Sequence, residues 1–112
     1  KIELKKFSKI IEHNLAILLE FTNWLEDKNK NNKDDVSSAC NDFLKVLGYI
    51  SLGYLWFKTT KVSLEKFNEN KDFYEEKINT AKYFFDKIFP RIQSHYHSAK
   101  TGSNTIMNAK FN

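Results

Sequence analysis

The sequence predicts an all-α domain, an antiparallel up-down bundle of three long helices followed by a short C-terminal turn. Three observations support this fold class. Apolar residues recur three and four positions apart over three long stretches, which is the spacing of one face of an α-helix. Three glycines and one proline in 112 residues are too few for the frequent turns of a β-sandwich. Seventeen aromatic residues (ten Phe, five Tyr and two Trp) provide the core of one domain and exclude a disordered chain.

The first stretch predicts a helix whose buried stripe has a period near 3.5 residues. Its members are Leu4, Phe7, Ile11, Asn14, Leu18, Phe21 and Leu25. The run 27–35 (DKNKNNKDD) contains no apolar residue, which predicts a loop. Asp34 or Asp35 is expected to cap the next helix by accepting hydrogen bonds from its free backbone amides.

The second stretch predicts a helix with the same period. Its stripe consists of Val36, Cys40, Phe43, Leu47, Ile50, Tyr54, Phe57, Lys61 and Leu64. Residues 46–57 (VLGYISLGYLWF) are uncharged and apolar around the whole circumference, whereas a bundle helix needs only one stripe about 100° wide. Leu44, Tyr49, Leu52, Leu55 and Trp56 lie off the stripe. Either the other helices cover this one on several sides, or one of its faces docks on a partner domain or a second copy.

Two glycines fall in the middle of the second helix. Gly48 and Gly53 each cost about 1 kcal/mol relative to Ala in a helix interior, which indicates a close helix crossing or contact with a ligand. With the surplus apolar residues around them, they give an expected interface. Its residues are Gly48, Tyr49, Leu52, Gly53 and Trp56.

The third helix is expected after a turn at 68–71, and Asp72 with Glu75 resembles a capping box. The stripe is Tyr74, Ile78, Ala81, Phe85, Ile88, Ile92, His95 and Ala99, with Phe73, Phe84 and Phe89 lying off it. Pro90 removes one backbone hydrogen bond and predicts a kink near residues 88–89. Gly102 is expected to end the helix, with a short helical turn or a frayed end over 103–112.

The composition restricts the chemistry. A single cysteine excludes a disulfide framework and a Cys-rich zinc site, and no apolar run approaches the length of a membrane span. The 18 cationic residues include 17 lysines scattered among acidic residues, which does not favour a nucleic-acid surface. We expect a cytoplasmic domain without a metal, a membrane or a nucleic-acid partner.

Few side chains are candidates for chemistry. His95 and His97 are two residues apart and point to different helix faces, so they cannot chelate one metal. His95 is expected to be a hydrogen-bonded packing residue, and Cys40 a small hydrophobic one. Arg91 and His97, separated by five residues, are similar to the Arg and His of HEPN-type ribonucleases. A free-standing ribonuclease of that type is therefore the alternative function, although Ile92 replaces the polar residue usual after the Arg.

Residues from the second and third helices combine into a more specific pattern. They are Phe43, Leu44, Leu47, Gly48, Gly53, Tyr54, Trp56, Asp72, Phe73, Tyr74, Lys77, Ile78, Thr80, Ala81, Lys82, Tyr83, Phe84, Pro90 and Gly102. Together they resemble the C-terminal helical domain of bacterial acyl-CoA dehydrogenases, in the group that includes 3-methylmercaptopropionyl-CoA dehydrogenase. Two positions depart from the family pattern, Tyr54 where Trp is common and Lys82 where Arg is usual. Lys82 cannot make the bidentate contact open to an Arg.

The resemblance implies a non-catalytic domain of a flavoenzyme that oxidises the Cα–Cβ bond of an acyl-CoA thioester. The glutamate that removes the α-proton and the FAD that accepts the hydride belong to the dehydrogenase body, so no catalytic residue and no cofactor is expected in this chain. The partners implied are that body, within the same polypeptide, and a second subunit of a homodimer. The acyl-CoA is the substrate of the parent enzyme.

Overall fold

In the computed structural model, which describes residues 2–101, the chain is helical throughout. The elements are α1 (Ile2–Asn31), α2 (Lys33–Glu65), a 3₁₀ turn (Phe67–Glu69), α3 (Lys71–Tyr83), a π-helical turn (Phe84–Ile88) and α4 (Arg91–Lys100). No strand occurs within this part of the chain, so the all-helical prediction is confirmed. Gly102 and the predicted turn over 103–112 lie outside the described residues. None of the helices found in residues 2–101 has both the length and the apolar character needed to cross a membrane.

The stripe predicted for α1 is confirmed. Phe7, Asn14 and Phe21 are buried and the other four members are half-buried. The loop predicted over 27–35 is wrong, because α1 continues to Asn31 and α2 begins at Lys33. The run contains neither Gly nor Pro, and polar residues alone do not end a helix. The Lys28 ammonium also lies 3.8 Å from the carboxylate of Asp35, which links the two helix ends.

Asparagines, rather than the predicted aspartates, cap the second and third helices. The side-chain oxygen of Asn32 accepts a hydrogen bond from the Asp35 amide at 3.3 Å. That of Asn70 accepts one from the Phe73 amide at 3.2 Å. The caps predicted at Asp34 or Asp35 and at Asp72 are therefore wrong by two or three residues. Asn and Asp are equally good caps, so composition could not distinguish these neighbouring positions.

The stripe predicted for α2 is correct only in part, since Ile50 is buried and Phe43 and Phe57 pack half-buried against the core. The buried residues are Asp35, Ala39, Val46, Ile50, Gly53, Thr60 and Ser63, while the predicted members Cys40, Leu47 and Tyr54 are exposed. Because residues 46–57 are apolar on all sides, several stripes of the same period fit that stretch. The stripe that the fold buries is the one with the smaller side chains, which allows other elements to approach the helix axis closely.

The third predicted helix consists of α3, the π-helical turn and α4, which together we call the third segment. The π-helical turn interrupts it just before Pro90. The Phe89 amide donates to the Phe84 carbonyl five residues earlier, at 2.8 Å, and Pro90 has no amide hydrogen to continue the ladder. The interruption predicted near residues 88–89 is confirmed. The extra residue in this turn rotates the following side chains around the axis, so Phe89 is buried rather than lying off the stripe. Phe84, at the start of the turn, is buried as well. Phe73 remains 47% exposed.

Aromatic rings from α1 and from the third segment form the centre of the core. The ring of Phe7 stacks on that of Phe85 with centroids 4.2 Å apart. The Phe21 ring meets those of Phe43 at 5.0 Å and Tyr96 at 5.2 Å. α2 contacts α1, α3 and α4.

Replacing either capping asparagine should lower the free energy of unfolding by about 1 kcal/mol, because one backbone amide in the first turn of the helix loses its side-chain acceptor. The variants are Asn32→Ala and Asn70→Ala, measured by urea unfolding. Asn68→Ala is the matched control, since the Asn68 side chain makes none of the hydrogen bonds found in residues 2–101. An equal loss of stability in all three variants would contradict the assignment of the caps.

Candidate functional site

The side of α2 that faces away from the core forms one continuous surface, which we call the outer face. Its residues are spaced three or four apart and therefore align along the helix. They are Leu44, Gly48, Ser51, Leu52, Leu55, Thr59 and Val62.

The outer face exposes several large apolar side chains. Leu44 is 64% exposed, Leu55 56%, Leu52 45% and Val62 44%. No charged residue occurs between Lys45 and Lys58. Complete burial of a leucine stabilises by about 1.5–3 kcal/mol, so burying the exposed parts of three leucines would contribute roughly 3 kcal/mol. Surfaces of this kind commonly mark sites of protein interaction.

The polar atoms on the outer face already have partners within the helix. The Ser51 hydroxyl donates to the Leu47 carbonyl at 2.9 Å, and the Thr59 hydroxyl donates to the Leu55 carbonyl at 2.9 Å. Their hydrogens therefore point back at the helix rather than into solvent. Covering the outer face would leave neither hydroxyl without an acceptor, so the desolvation penalty of these two groups is small.

A shallow groove extends the apolar surface from the C-terminal half of the outer face onto α3. Leu55 and Val62 form one wall, and Phe73 forms part of the other. The Phe73 ring meets that of Tyr74 edge-on at 5.0 Å, which fixes its position beside α2. The groove is therefore part of the same apolar surface, with an aromatic ring at its border.

The two helical glycines lie in opposite environments. A Cβ built on Gly53 would be 2.7 Å from Cε2 of Phe89, and the Phe89 ring is itself 1% exposed. A Cβ built on Gly48 would meet nothing within 4 Å. The close approach predicted for both glycines is therefore confirmed at Gly53 and wrong at Gly48 within this chain, because Gly48 lies on the outer face.

The structure divides the five residues of the predicted interface between two sides of α2. Gly48 and Leu52 lie on the outer face. Tyr49 and Trp56 are half-buried and pack against the core, and Gly53 is buried under Phe89. An interface role for these five residues stays a prediction. Among them, Gly48 and Leu52 are exposed and accessible to a partner. Ser51, Thr59 and Val62 were missed, although their spacing from Leu44 places them on the same face.

The histidines of α4 have separate surroundings. His95 is half-buried, and its Nδ1 lies 2.8 Å from Oδ1 of Asp42 on α2, with the Tyr49 ring 5.9 Å away. The prediction of a hydrogen-bonded packing residue is confirmed. Arg91 and His97 are both exposed, and six residues place them about 120° apart around the helix axis. Nothing in this arrangement supports the ribonuclease alternative. Within residues 2–101, no group of three or more His, Cys, Asp or Glu side chains could hold a metal ion.

Lys82 on α3 forms an ion pair with Glu3 on α1. Its ammonium lies 3.4 Å from Oε1 of Glu3. A hydrogen bond from the backbone amide of Glu3, followed by the Lys82 ammonium, lowers the pKa of the Glu3 carboxyl despite slight desolvation. Both side chains remain partly exposed, so this pair orients the start of α1 and is not a buried reactive group.

The comparisons with known proteins identify one family. A family model described as "Acetyl-CoA dehydrogenase C-terminal like" matches residues 1–110. No curated protein and no solved structure matches the chain significantly.

Substituting the two glycines with alanine should separate their roles. Gly48→Ala should raise the free energy of unfolding by up to about 1 kcal/mol, since helix propensity improves at an open position. The free energy of unfolding of Gly53→Ala should be about 1–3 kcal/mol lower than that of Gly48→Ala, because the new methyl group overlaps a ring that cannot move freely within the core. Thermal and urea unfolding of the two variants test this. Equal stabilisation by both substitutions would contradict the contact between Gly53 and Phe89.

Proposed function

This chain belongs to the family of acyl-CoA dehydrogenase C-terminal-like domains, and from that premise we propose that it is the non-catalytic C-terminal domain of an FAD-dependent acyl-CoA dehydrogenase. The parent enzyme introduces a double bond between Cα and Cβ of an acyl-CoA thioester. The domain packs on the dehydrogenase body of the same polypeptide, and the parent enzyme is a cytoplasmic homodimer.

The outer face of α2 is the observation that carries the proposal. It places Leu44, Leu52 and Leu55 in solvent, with satisfied hydroxyls between them and no charge from 46 to 57. Contiguous apolar surface that a helix leaves in solvent commonly marks a site of protein interaction. A neighbouring body that covers the outer face is therefore the function that this surface supports.

We also propose that the bundle is antiparallel, up-down-up. Phe21, late in α1, contacts Phe43, early in α2. Gly53, midway along α2, meets Phe89, and His95 further along the chain pairs with Asp42 nearer the start of α2. Contacts whose residue numbers run in opposite directions support antiparallel neighbours.

The described residues do not suit a flavin. A dinucleotide site needs a backbone that a phosphate can approach, usually through glycines at a helix start. Here the ring of Phe89 occupies the space beside Gly53, and Gly48 lies mid-helix on the outer face. We therefore assign FAD, the acyl-CoA site and the catalytic base to the dehydrogenase body, and we derive no chemical step for this chain.

The proposal predicts that one charge placed on the outer face prevents docking. Leu55→Glu should weaken the association of this chain with the separately expressed dehydrogenase body of the parent enzyme by at least about tenfold, because a carboxylate would have to be buried without a partner. The free energy of unfolding of the isolated chain should change little, since Leu55 is exposed. Titration calorimetry and urea unfolding give the two quantities.

Leu19→Glu provides the matched control. It makes the same substitution at a leucine that is 63% exposed on α1, away from the outer face, and it should bind like the unmodified chain. Binding of Leu55→Glu that equals that of Leu19→Glu would contradict docking through the outer face.

A further inference from the structure

The charged residues of α2 beside the outer face are all of one sign. Between Asp42 and Glu65, the charged residues are Lys45, Lys58 and Lys61, and all three are exposed. None of them takes part in the ion pairs found among residues 2–101. Lys45 and Lys58 lie at the two ends of the uncharged stretch and on opposite sides of the outer face, about 20 Å apart along the helix.

The groove between α2 and α3 also combines apolar side chains with lysines. Lys58 and Lys77 are among its lining residues, together with Leu55 and Phe73. The ammonium of Lys58 lies 5.2 Å from the centroid of the Tyr54 ring, and that of Lys77 lies 5.2 Å from the centroid of the Phe73 ring. These ring contacts hold the cations beside the apolar surface without neutralising them.

A second copy of this chain is a poor occupant for such a surface. An antiparallel pairing of two outer faces, centred on residues 51 and 52, brings Lys45 of one copy level with Lys58 of the other. A parallel pairing sets each lysine level with its equivalent, across the seam. Neither helix offers a carboxylate between Asp42 and Glu65, so both pairings leave these lysines without a partner of opposite charge.

The acidic residues of α3 do not change this conclusion. Asp72, Glu75 and Glu76 line a different groove, in which α2 takes no part. A contact between that groove of one copy and the outer face of another would join two different surfaces. Such a contact is heterologous, and it does not by itself close a dimer with two-fold symmetry.

We infer that the occupant of the outer face is an apolar strip of the dehydrogenase body bordered by carboxylates, which lie opposite Lys45 and Lys58. This inference rests on the proposed function and specifies the chemistry of the partner surface. The apolar residues supply the affinity, and the lysines select the register and exclude a second copy of the same face. The two-fold seam of the proposed homodimer therefore lies outside the outer face.

The test reverses the charges on the border. Lys45→Glu/Lys58→Glu should raise the dissociation constant for the separately expressed dehydrogenase body by about tenfold or more, because two exposed attractions become repulsions. Raising the salt from about 0.05 M to about 0.5 M should weaken the unmodified complex and leave the variant complex unchanged or stronger. Both lysines are exposed, so the free energy of unfolding of the isolated variant, measured in urea, should remain within about 0.5 kcal/mol of that of the unmodified chain.

Lys5→Glu/Lys9→Glu is the control, because it makes the same change in net charge at two exposed positions of α1. Loss of binding in the border variant but not in the control supports the inference. If the border variant binds like the control while Leu55→Glu does not bind, the carboxylate border is overturned and the proposed function stands. If Leu55→Glu binds normally as well, the proposed function itself fails.

Sedimentation equilibrium of the isolated chain tests the remaining alternative. A dimer that Leu55→Glu abolishes would make a second copy the occupant of the outer face and would overturn the inference. A monomer at the same concentrations supports it.

Discussion

The contact between Gly53 and Phe89 determines how the central helix is turned within the bundle. A Cβ at residue 53 would overlap the ring of Phe89, which packs on the rings of Phe84 and Phe85 at 5.8 Å and 5.2 Å. The cluster can lie this close to α2 only where α2 has no side chain. Where it faces Phe89, α2 therefore contributes small residues, while its aromatic residues Phe43, Tyr49, Trp56 and Phe57 pack half-buried against the core.

The orientation of α2 has a direct consequence for its leucines. Once Ala39, Gly53, Thr60 and Ser63 face inward, the leucines on the opposite side of the helix must face outward. The exposed apolar surface is thus a consequence of the packing that stabilises the bundle, and a rotation that hid Leu55 would remove Gly53 from the ring of Phe89. One orientation of α2 about its axis therefore both packs the core against Gly53 and exposes the leucines of the outer face.

The elements of this fold differed in how well the sequence could predict them. On α1, a heptad series located Phe7, Asn14 and Phe21 correctly, although it missed the buried Ile17. On α2, residues 46–57 are apolar all round and periodicity cannot choose a side. The choice depends on Phe89, which is distant in sequence and is turned inward by a π-helical turn that no spacing rule predicts. For the same reason, the predicted interface combined residues from two sides of α2. Gly48 and Leu52 lie on the outer face, whereas Tyr49 and Trp56 pack against the core. The family, in contrast, could be identified from residues 43–102, because side-chain identities at fixed spacing do not depend on which face is buried.

The lysines at the border of the outer face explain how an apolar surface can be specific. Leucines alone bind any apolar strip, including the same leucines on another copy, and burial gives no preference among these partners. Lys45 and Lys58 add a requirement that an identical helix cannot meet, because its own border carries ammonium groups at the same positions. A surface with apolar residues at its centre and carboxylates at its edge satisfies both requirements at once. A dehydrogenase body in the same polypeptide is held at high effective concentration, so it needs only modest affinity for the outer face. The specificity of the contact can then come mainly from the exclusion of wrong partners.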